Sequence, residues 1–239
     1  EARADFERAV GKFPSFRRAW RNLGLVHARE GRYDDAIHAF TRMIELGGGD
    51  GYSYGLLGYA YGSKSDFQAA ETAYRNALLL QPDSTEWRLG LTRCVFKQEK
   101  FEDAAALLEA LVARFPDNAD FWLLQAQAFL GLKKPLKAAE NLEAIDLLGK
   151  STVDSLSTLG DIYVSEQLPE LAAHAYRRAI DRDPAQPAAR PLRACELVAG
   201  LGALDAARQL AAHAKQACGA SLQGPDRQRL ARLEARLAM

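Results

Sequence analysis

Four histidines, three cysteines, one pair of aspartates and two glycine-rich turns are the residues of this 239-residue chain whose types invite chemistry. A metal site or a general base relay needs imidazoles brought together. His27, His38, His174 and His213 are scattered, and His38 and His174, which share a helical phase, are separated by most of the chain. Asp154 and Asp161 would have to lie within a few ångströms to work as acid and base. Seven residues apart on one helix, they stand about 10 Å from each other. Gly47, Gly48, Gly49 and Gly51 form a glycine-rich turn, but a phosphate cradle needs a following GK[ST], and Gly62-Ser63-Lys64-Ser65 misses that pattern by one residue. Cys94, Cys195 and Cys218 are odd in number and lack CxxC spacing, which favours small buried hydrophobes over a disulfide framework or a zinc site. The expectation is a protein that is not an enzyme and uses no metal or cofactor.

The totals narrow the class further. At 48% hydrophobic and 26% charged, the chain has ample material for a core. Lys+Arg and Asp+Glu are both 31, and this zero net charge argues against a nucleic-acid binder, which normally carries a basic excess. No apolar run approaches the roughly 18 residues of a membrane span, so no integral membrane segment is expected, and no signal peptide is visible.

The elements that must position these residues are copies of one unit. Tyr54, Leu57, Gly58 and Tyr61, followed by Ala70, Tyr74, Ala77 and Pro82, outline two helical segments with a turn at Gly62 to Asp66 and a helix-ending proline. Shifted back by 34 residues, Tyr54 falls on Trp20, Leu57 on Leu23, Gly58 on Gly24, Ala70 on Ala36 and Tyr74 on Phe40. Forward, the alanine recurs at Ala104, Ala138, Ala172 and Ala206; two steps back it reaches Ala2, all without a gap. Self-similarity at a fixed period of this size marks a stacked-repeat architecture. Opposite the alanines stand Gly24, Gly58, Thr92, Ala126, Gly160 and Ala194, so that two antiparallel helices can approach closely while Trp20, Leu23 and His27, or Tyr54, Leu57 and Tyr61, fill the core at i, i+3, i+7.

Helix boundaries keep the same period. Pro14, Pro82, Pro116 and Pro184 share a phase, and just after the later ones Asp83 with Glu86, Asp117 with Asp120, and Ser151 with Asp154 (after Lys150) are the expected N-caps, each with an acid three residues on. Second helices are expected to start near Ser65 with Gln68, and at Pro135 and Pro169. The predicted layout is the second helix of a truncated repeat over 1–14, a repeat array over 15–218 with starts near 17, 51, 85, 119, 153 and 187, a loop over 219–225, and a capping helix over 226–239. In that last helix Leu230, Leu233 and Leu237 share one side. The chain opens on Glu1, inside a repeat, so an upstream helix or a removed leader is expected.

The pattern Trp20, Leu23, Gly24, His27, Ala36, Phe40, with copies ending in Pro82, Pro116 and Pro184, resembles the tetratricopeptide repeat. Gly48 and Lys150 depart from the terminal proline, Gln125 and Arg193 from the leucine, and the sixth unit is degenerate around Pro191, Arg193 and His213. The resemblance implies an all-α, right-handed superhelical solenoid of antiparallel helix pairs, about six repeats plus a capping helix, whose first helices line a concave groove. It implies binding or scaffolding of a protein or peptide partner, and a radius of gyration above the about 18 Å of a compact chain of this length. Some members of the family hold the terminal carboxylate of chaperones with a set of Lys, Asn and Arg. The matching positions here are Arg21, Leu25, Leu56, Glu86 and Gly90, so that clamp is absent and a chaperone-like acidic tail is not expected to bind. A dozen residues from Gly47 to Gly58 are similar to a segment of bacterial periplasmic tetratricopeptide proteins that accompany TonB, ExbB and ExbD systems, which tilts the expected location toward the periplasm over the cytoplasm.

With one face of each first helix spent on its partner, the offset face is available to a ligand. Copy by copy it carries Arg18 and Arg21; Tyr52, Leu56 and Tyr59; Leu89, Arg93 and Phe96; Leu123 and Gln127; Asp154 and Asp161. These are the candidate peptide-binding residues. Tyr52, Leu56, Tyr59, Leu89, Phe96 and Leu123 read as an apolar stripe of the kind that marks a contact site, with Gly55 and Gly62 leaving room beside it. Charge is graded from arginines in the first unit to aspartates in the fifth, giving a ligand a preferred direction. The alternative reading is a spacer segment of a larger multi-repeat protein, in an envelope or transport-associated assembly.

Overall fold

The computed structural model describes residues 2–219 and 222–238, which form fourteen α-helices and no strand. α1 (Ala2–Lys12) is followed by six pairs. They are α2 (Arg17–Arg29) with α3 (Tyr33–Met43), α4 (Gly51–Ser63) with α5 (Phe67–Leu80), α6 (Thr85–Lys97) with α7 (Phe101–Arg114), α8 (Ala119–Gly131) with α9 (Pro135–Leu147), α10 (Val153–Ser165) with α11 (Pro169–Arg182), and α12 (Ala189–Gly200) with α13 (Leu204–Cys218). α14 (Gly224–Ala238) comes last. The chain divides into two compact units, Glu1–Leu111 and Val112–Met239. Residues 1, 220, 221 and 239, which fall in the predicted opening helix, loop and capping helix, lie outside the described residues. No described helix is long and apolar enough to cross a membrane.

Within each pair the contact is set by volume matching. Ala36, Ala70, Ala104, Ala138 and Ala172 have no exposed surface, and Ala206 keeps 6%. A Cβ on Gly24 would sit 2.5 Å from the Phe40 ring and one on Gly58 2.9 Å from Tyr74; Gly160 lies equally close under Tyr176. In the other three pairs the small residue is Thr92, Ala126 or Ala194, and the side chain at the ring's phase is Leu108, Leu142 or Leu210, all buried. Glycine therefore goes with an aromatic ring, and a residue bearing a Cβ goes with leucine. Swapping one member alone would overpack or empty the crossing. Ala2, at the same phase in α1, is exposed.

The turn inside each pair is built on one left-handed residue. Gly31, Ser65, Glu99, Lys133 and Gln167 have φ of 72°, 67°, 59°, 55° and 59°, one per period, and the sixth pair uses Gly202 instead. Four of these five positions carry a side chain that disfavours that conformation by about 1 kcal/mol. N-caps fall one residue later than the spacing suggests. Ser84 accepts from the Trp87 amide at 3.3 Å, Asn118 from Asp120 at 3.0 Å, Asp66 from Ala69 at 3.1 Å, and Thr152 forms a reciprocal capping box with Ser155. Asp83, Asp117, Ser151 and Ser65 are therefore not the caps; Ser65 holds the left-handed corner, and Ser151 hydrogen-bonds Asp146. Pro135 and Pro169 do occupy the first helical turn.

A second device ties three of the pairs to the turn before them. Trp20 Nε1 donates to the Pro14 carbonyl at 2.8 Å, Trp122 Nε1 to that of Pro116 at 2.7 Å, and Arg88 to that of Pro82 at 2.6 Å. The sixth pair is tied differently. Its lead-in turn is held by buried Gln186, whose Nε2 donates to the Ala179 and Asp183 carbonyls at 3.0 and 3.1 Å, and Pro191 is buried in the first turn of α12, where its missing N–H costs nothing. On α14, Leu230, Leu233 and Leu237 are buried while Arg229 is paired with Glu196 and Lys215 with Glu234.

Candidate functional site

In unit 1 the open face centres on α4, a thirteen-residue helix without a charged side chain. It lies close to α6 because Trp87 packs directly over Gly55 and Tyr74 over Gly58 and Gly90. Trp87 is 4% exposed and stacks obliquely on Tyr74, centroids 6.2 Å apart at 30°, while its Nε1 donates to Gln81 Oε1 at 3.1 Å. Burial above all raises the Tyr74 phenol far above its usual range, so it stays neutral. On top of this platform the Tyr52 ring lies 6.0 Å from Trp87, and the Arg21 guanidinium stands 6.0 Å from the same Tyr52 ring. Tyr52 is 40% exposed and Tyr59, two helical turns along α4, 49%.

The remaining expected residues of unit 1 divide. Arg18, Arg21 and Arg93 are exposed, and Leu89 and Phe96 half-buried, with Phe96 meeting Phe101 edge to face at 5.3 Å. Leu56 corrects the expectation: it is buried with Ala36, Phe40, Met43 and Ala60, since the rotation that exposes Tyr52 and Tyr59 turns the residue between them onto the preceding pair. Gly55 leaves no room for a ligand either; Trp87 fills it.

In unit 2, Leu123 (38% exposed) and Gln127 are open to solvent. Asp154 and Asp161 are not free charges, and the expected gradient ends there. Asp154 accepts from Arg190 at 2.9 Å and Asp161 from Arg193 at 3.0 Å, and the Tyr176 hydroxyl also donates to Asp161. The two ion pairs bridge α10 and α12 over a cavity of about 200 Å³ lined by Ser157, Thr158, Ile180 and Gln186 as well. Arg193 is held above its ordinary range, first by its hydrogen bond to Asp161.

The residues that invited chemistry are apart. His27 is buried with no hydrogen-bond partner for Nδ1, and burial, then Arg32, lowers its pKa. His38 meets Trp20 edge-on at 5.7 Å, and His213 contacts Asp181 at 2.6 Å. All three cysteines are buried thiols. A buried carboxylate that sequence reasoning passed over, Glu71, accepts from Arg75, Gln98 and Lys100 at 2.9, 2.9 and 2.7 Å. Burial opposes its charge, but the three donors outweigh that and hold it below the usual carboxylate range. Trp87 was missed as well, although extra glycines at 55 and 90, where neighbouring copies carry Arg21, Leu89, Leu56 and Leu124, point to a bulky neighbour.

Helix pairs of constant stride, joined by a left-handed corner and matched ring-to-glycine at their crossings, define a two-helix repeat protein. The chain belongs to the tetratricopeptide repeat family, whose models match residues 1–51, 63–128 and 153–186. Among curated proteins it is 26% identical over 153 residues to anaphase-promoting complex subunit 3 of Schizosaccharomyces pombe, covering 64% of this chain and 23% of that protein. It is also 30% identical over 89 residues to the tetratricopeptide repeat protein 30 homolog of Caenorhabditis elegans, covering 36% and 12%. The chain thus spans less than a quarter of the length of these relatives. Among solved structures, it is similar to MamA from Desulfovibrio magneticus RS-1, with a TM-score of 0.62 and 22% identity over 71% of this chain and 96% of that one. YrrB, described as a tetratricopeptide protein with an unusual peptide-binding site, gives 0.64 and 16% over 76% and 93%. At these identities the likeness concerns the fold.

Proposed function

We propose that this chain is a non-catalytic protein-interaction module that binds an extended peptide or a helix on the first-helix face of unit 1. The observation that carries this reading is the pair Tyr52 and Tyr59, large and exposed on a charge-free helix, with Tyr52 lying against the buried Trp87–Tyr74 platform. An exposed aromatic held rigidly loses little conformational freedom on binding, which is what makes tyrosine an effective interface anchor. Family membership supports an interaction role, and YrrB supplies a precedent for peptide binding on a similar fold. Arg18, Arg21, Leu89, Arg93 and Phe96 complete the proposed surface; Leu123, Gln127, Asp154 and Asp161 belong to unit 2.

A second reading, a structural spacer, is favoured for unit 2 by one observation: its first-helix face satisfies its own charges through Asp154–Arg190 and Asp161–Arg193. Both readings are tested by the double variant Tyr52→Ala/Tyr59→Ala. It should keep its helical circular dichroism and lose partner recovery in pull-down. Undiminished recovery would sink the groove reading and leave the spacer.

A further inference from the structure

We infer that the partner of the unit 1 face is an acidic peptide segment in which Asp or Glu side chains flank one aromatic or aliphatic anchor, and that it is held by those side chains instead of by a terminal carboxylate. This rests on the reading above and adds the chemistry of the ligand.

The inference comes from where unit 1 leaves its charge uncompensated. Many of its cations are engaged: Arg3 with Glu30 at 2.8 Å, Lys100 and Arg75 with Glu71 at 2.7 and 2.9 Å, Lys64 with Asp34. Arg18 and Arg21 on α2, and Arg93 and Lys97 on α6, are exposed and make no ion pair among the described residues. They stand on the helices to either side of charge-free α4, and the acid on that face is Glu86. An aromatic strip between two rows of unpaired cations, in a chain of zero net charge, is a localised positive potential around an apolar anchor site. Guanidinium groups accept a carboxylate with two parallel hydrogen bonds, and the contact of Arg21 with the Tyr52 ring leaves its N–H edges available for that. End-group capture does not fit the same surface, because two of the positions that would form it are closed: Leu56 is buried and Gly90 is covered by Tyr74.

The test uses the whole chain, immobilised, and random twelve-residue peptides displayed on phage, counter-selected on the Tyr52→Ala/Tyr59→Ala variant. Enriched sequences should be net negative around a Phe, Tyr, Trp or Leu. The leading one, synthesised with a fluorescein label, should bind equally as C-terminal amide and free acid in fluorescence anisotropy. Arg18→Glu/Arg21→Glu, with unchanged circular dichroism, should weaken it by about tenfold or more, and so should raising the salt well beyond physiological strength. Enriched peptides that are neutral or basic but still need the tyrosines would overturn the acidic class and spare the binding reading. No enrichment over the tyrosine variant would overturn both. A requirement for the free terminal carboxylate would overturn side-chain recognition.

Discussion

The two units carry the same face in opposite conditions. In unit 1 the exposed groups are tyrosines and cations without an ion-pair partner among the described residues, while the platform beneath them is closed by aromatic rings on glycine backbone. In unit 2 the equivalent helices α10 and α12 cross-link their own charges, and Tyr176, the ring that lies on Gly160, donates to the same Asp161 that Arg193 engages. One repeat geometry thus yields an unsatisfied surface where the exposed cations form no ion pair with a neighbouring helix, and a satisfied one where they do. What separates them is the pair of arginines at 190 and 193, which lie on the least regular repeat.

The sharpest way to break that contrast is to remove the unit 1 platform. Trp87→Ala is expected to cost about 3–5 kcal/mol, as for other buried tryptophans, in urea unfolding followed by circular dichroism, and to abolish peptide binding without touching Tyr52 or Tyr59. Acid should separate the units next. His27 has a folded-state pKa below its unfolded value, so the unfolded chain takes up the proton first and unit 1 loses stability as pH falls below about 6.5. Hydrogen exchange of α2 and α3 should be faster at pH 5.5 than at pH 7.5 once corrected for intrinsic rates, α10 and α11 should be unaffected, and His27→Phe should abolish the difference. Glu71 in unit 1 and Glu143 and Asp146 in unit 2 have lowered values; their stabilisation is present above the ordinary carboxylate range, about 4.5 for the glutamates and 3.8 for the aspartate, and is lost in both units as pH falls below it.

Opening unit 2 should cost less. Asp161→Asn loosens a partly exposed pair, so at most about 1 kcal/mol is expected, yet it frees Arg193; acidic peptides selected on unit 1 should then gain a weaker second site by titration calorimetry. The smallest expected effect treats the units alike. Ser65→Gly and Lys133→Gly should each stabilise by about 0.5 kcal/mol, relief of the left-handed corner being partly offset by backbone entropy, read as a small rise in urea midpoint.

The helix pairing was legible because its determinants are local and periodic: small residues at 24 and 36, and the same phase thereafter, leave one way to pack. The corners were legible as polar turns but not as left-handed residues, since only the first and the last, Gly31 and Gly202, show the residue type that conformation favours. Caps were displaced by one because Asp83-Ser84, Asp117-Asn118 and Ser151-Thr152 each offer two acceptors in a row, and the backbone decides which one turns inward. Which residues of a charge-free helix face outward is harder still. α4 carries no charge and is apolar or aromatic around most of its circumference, so nothing in its sequence separates Leu56 from Tyr52; the packing of Trp87 on Gly55 does. The fate of Asp154 and Asp161 depended on arginines a full period away in the degenerate repeat.

The tryptophan anchors have an experimental consequence. Trp20 and Trp87 report on unit 1 and Trp122 on unit 2, and the indole of each is fixed by a hydrogen bond. Replacing Trp20 with phenylalanine leaves one tryptophan per unit, the first deeply shielded and the second partly buried. Emission colour and quencher access would then follow each half of the chain melting in the same cuvette, with no dye attached.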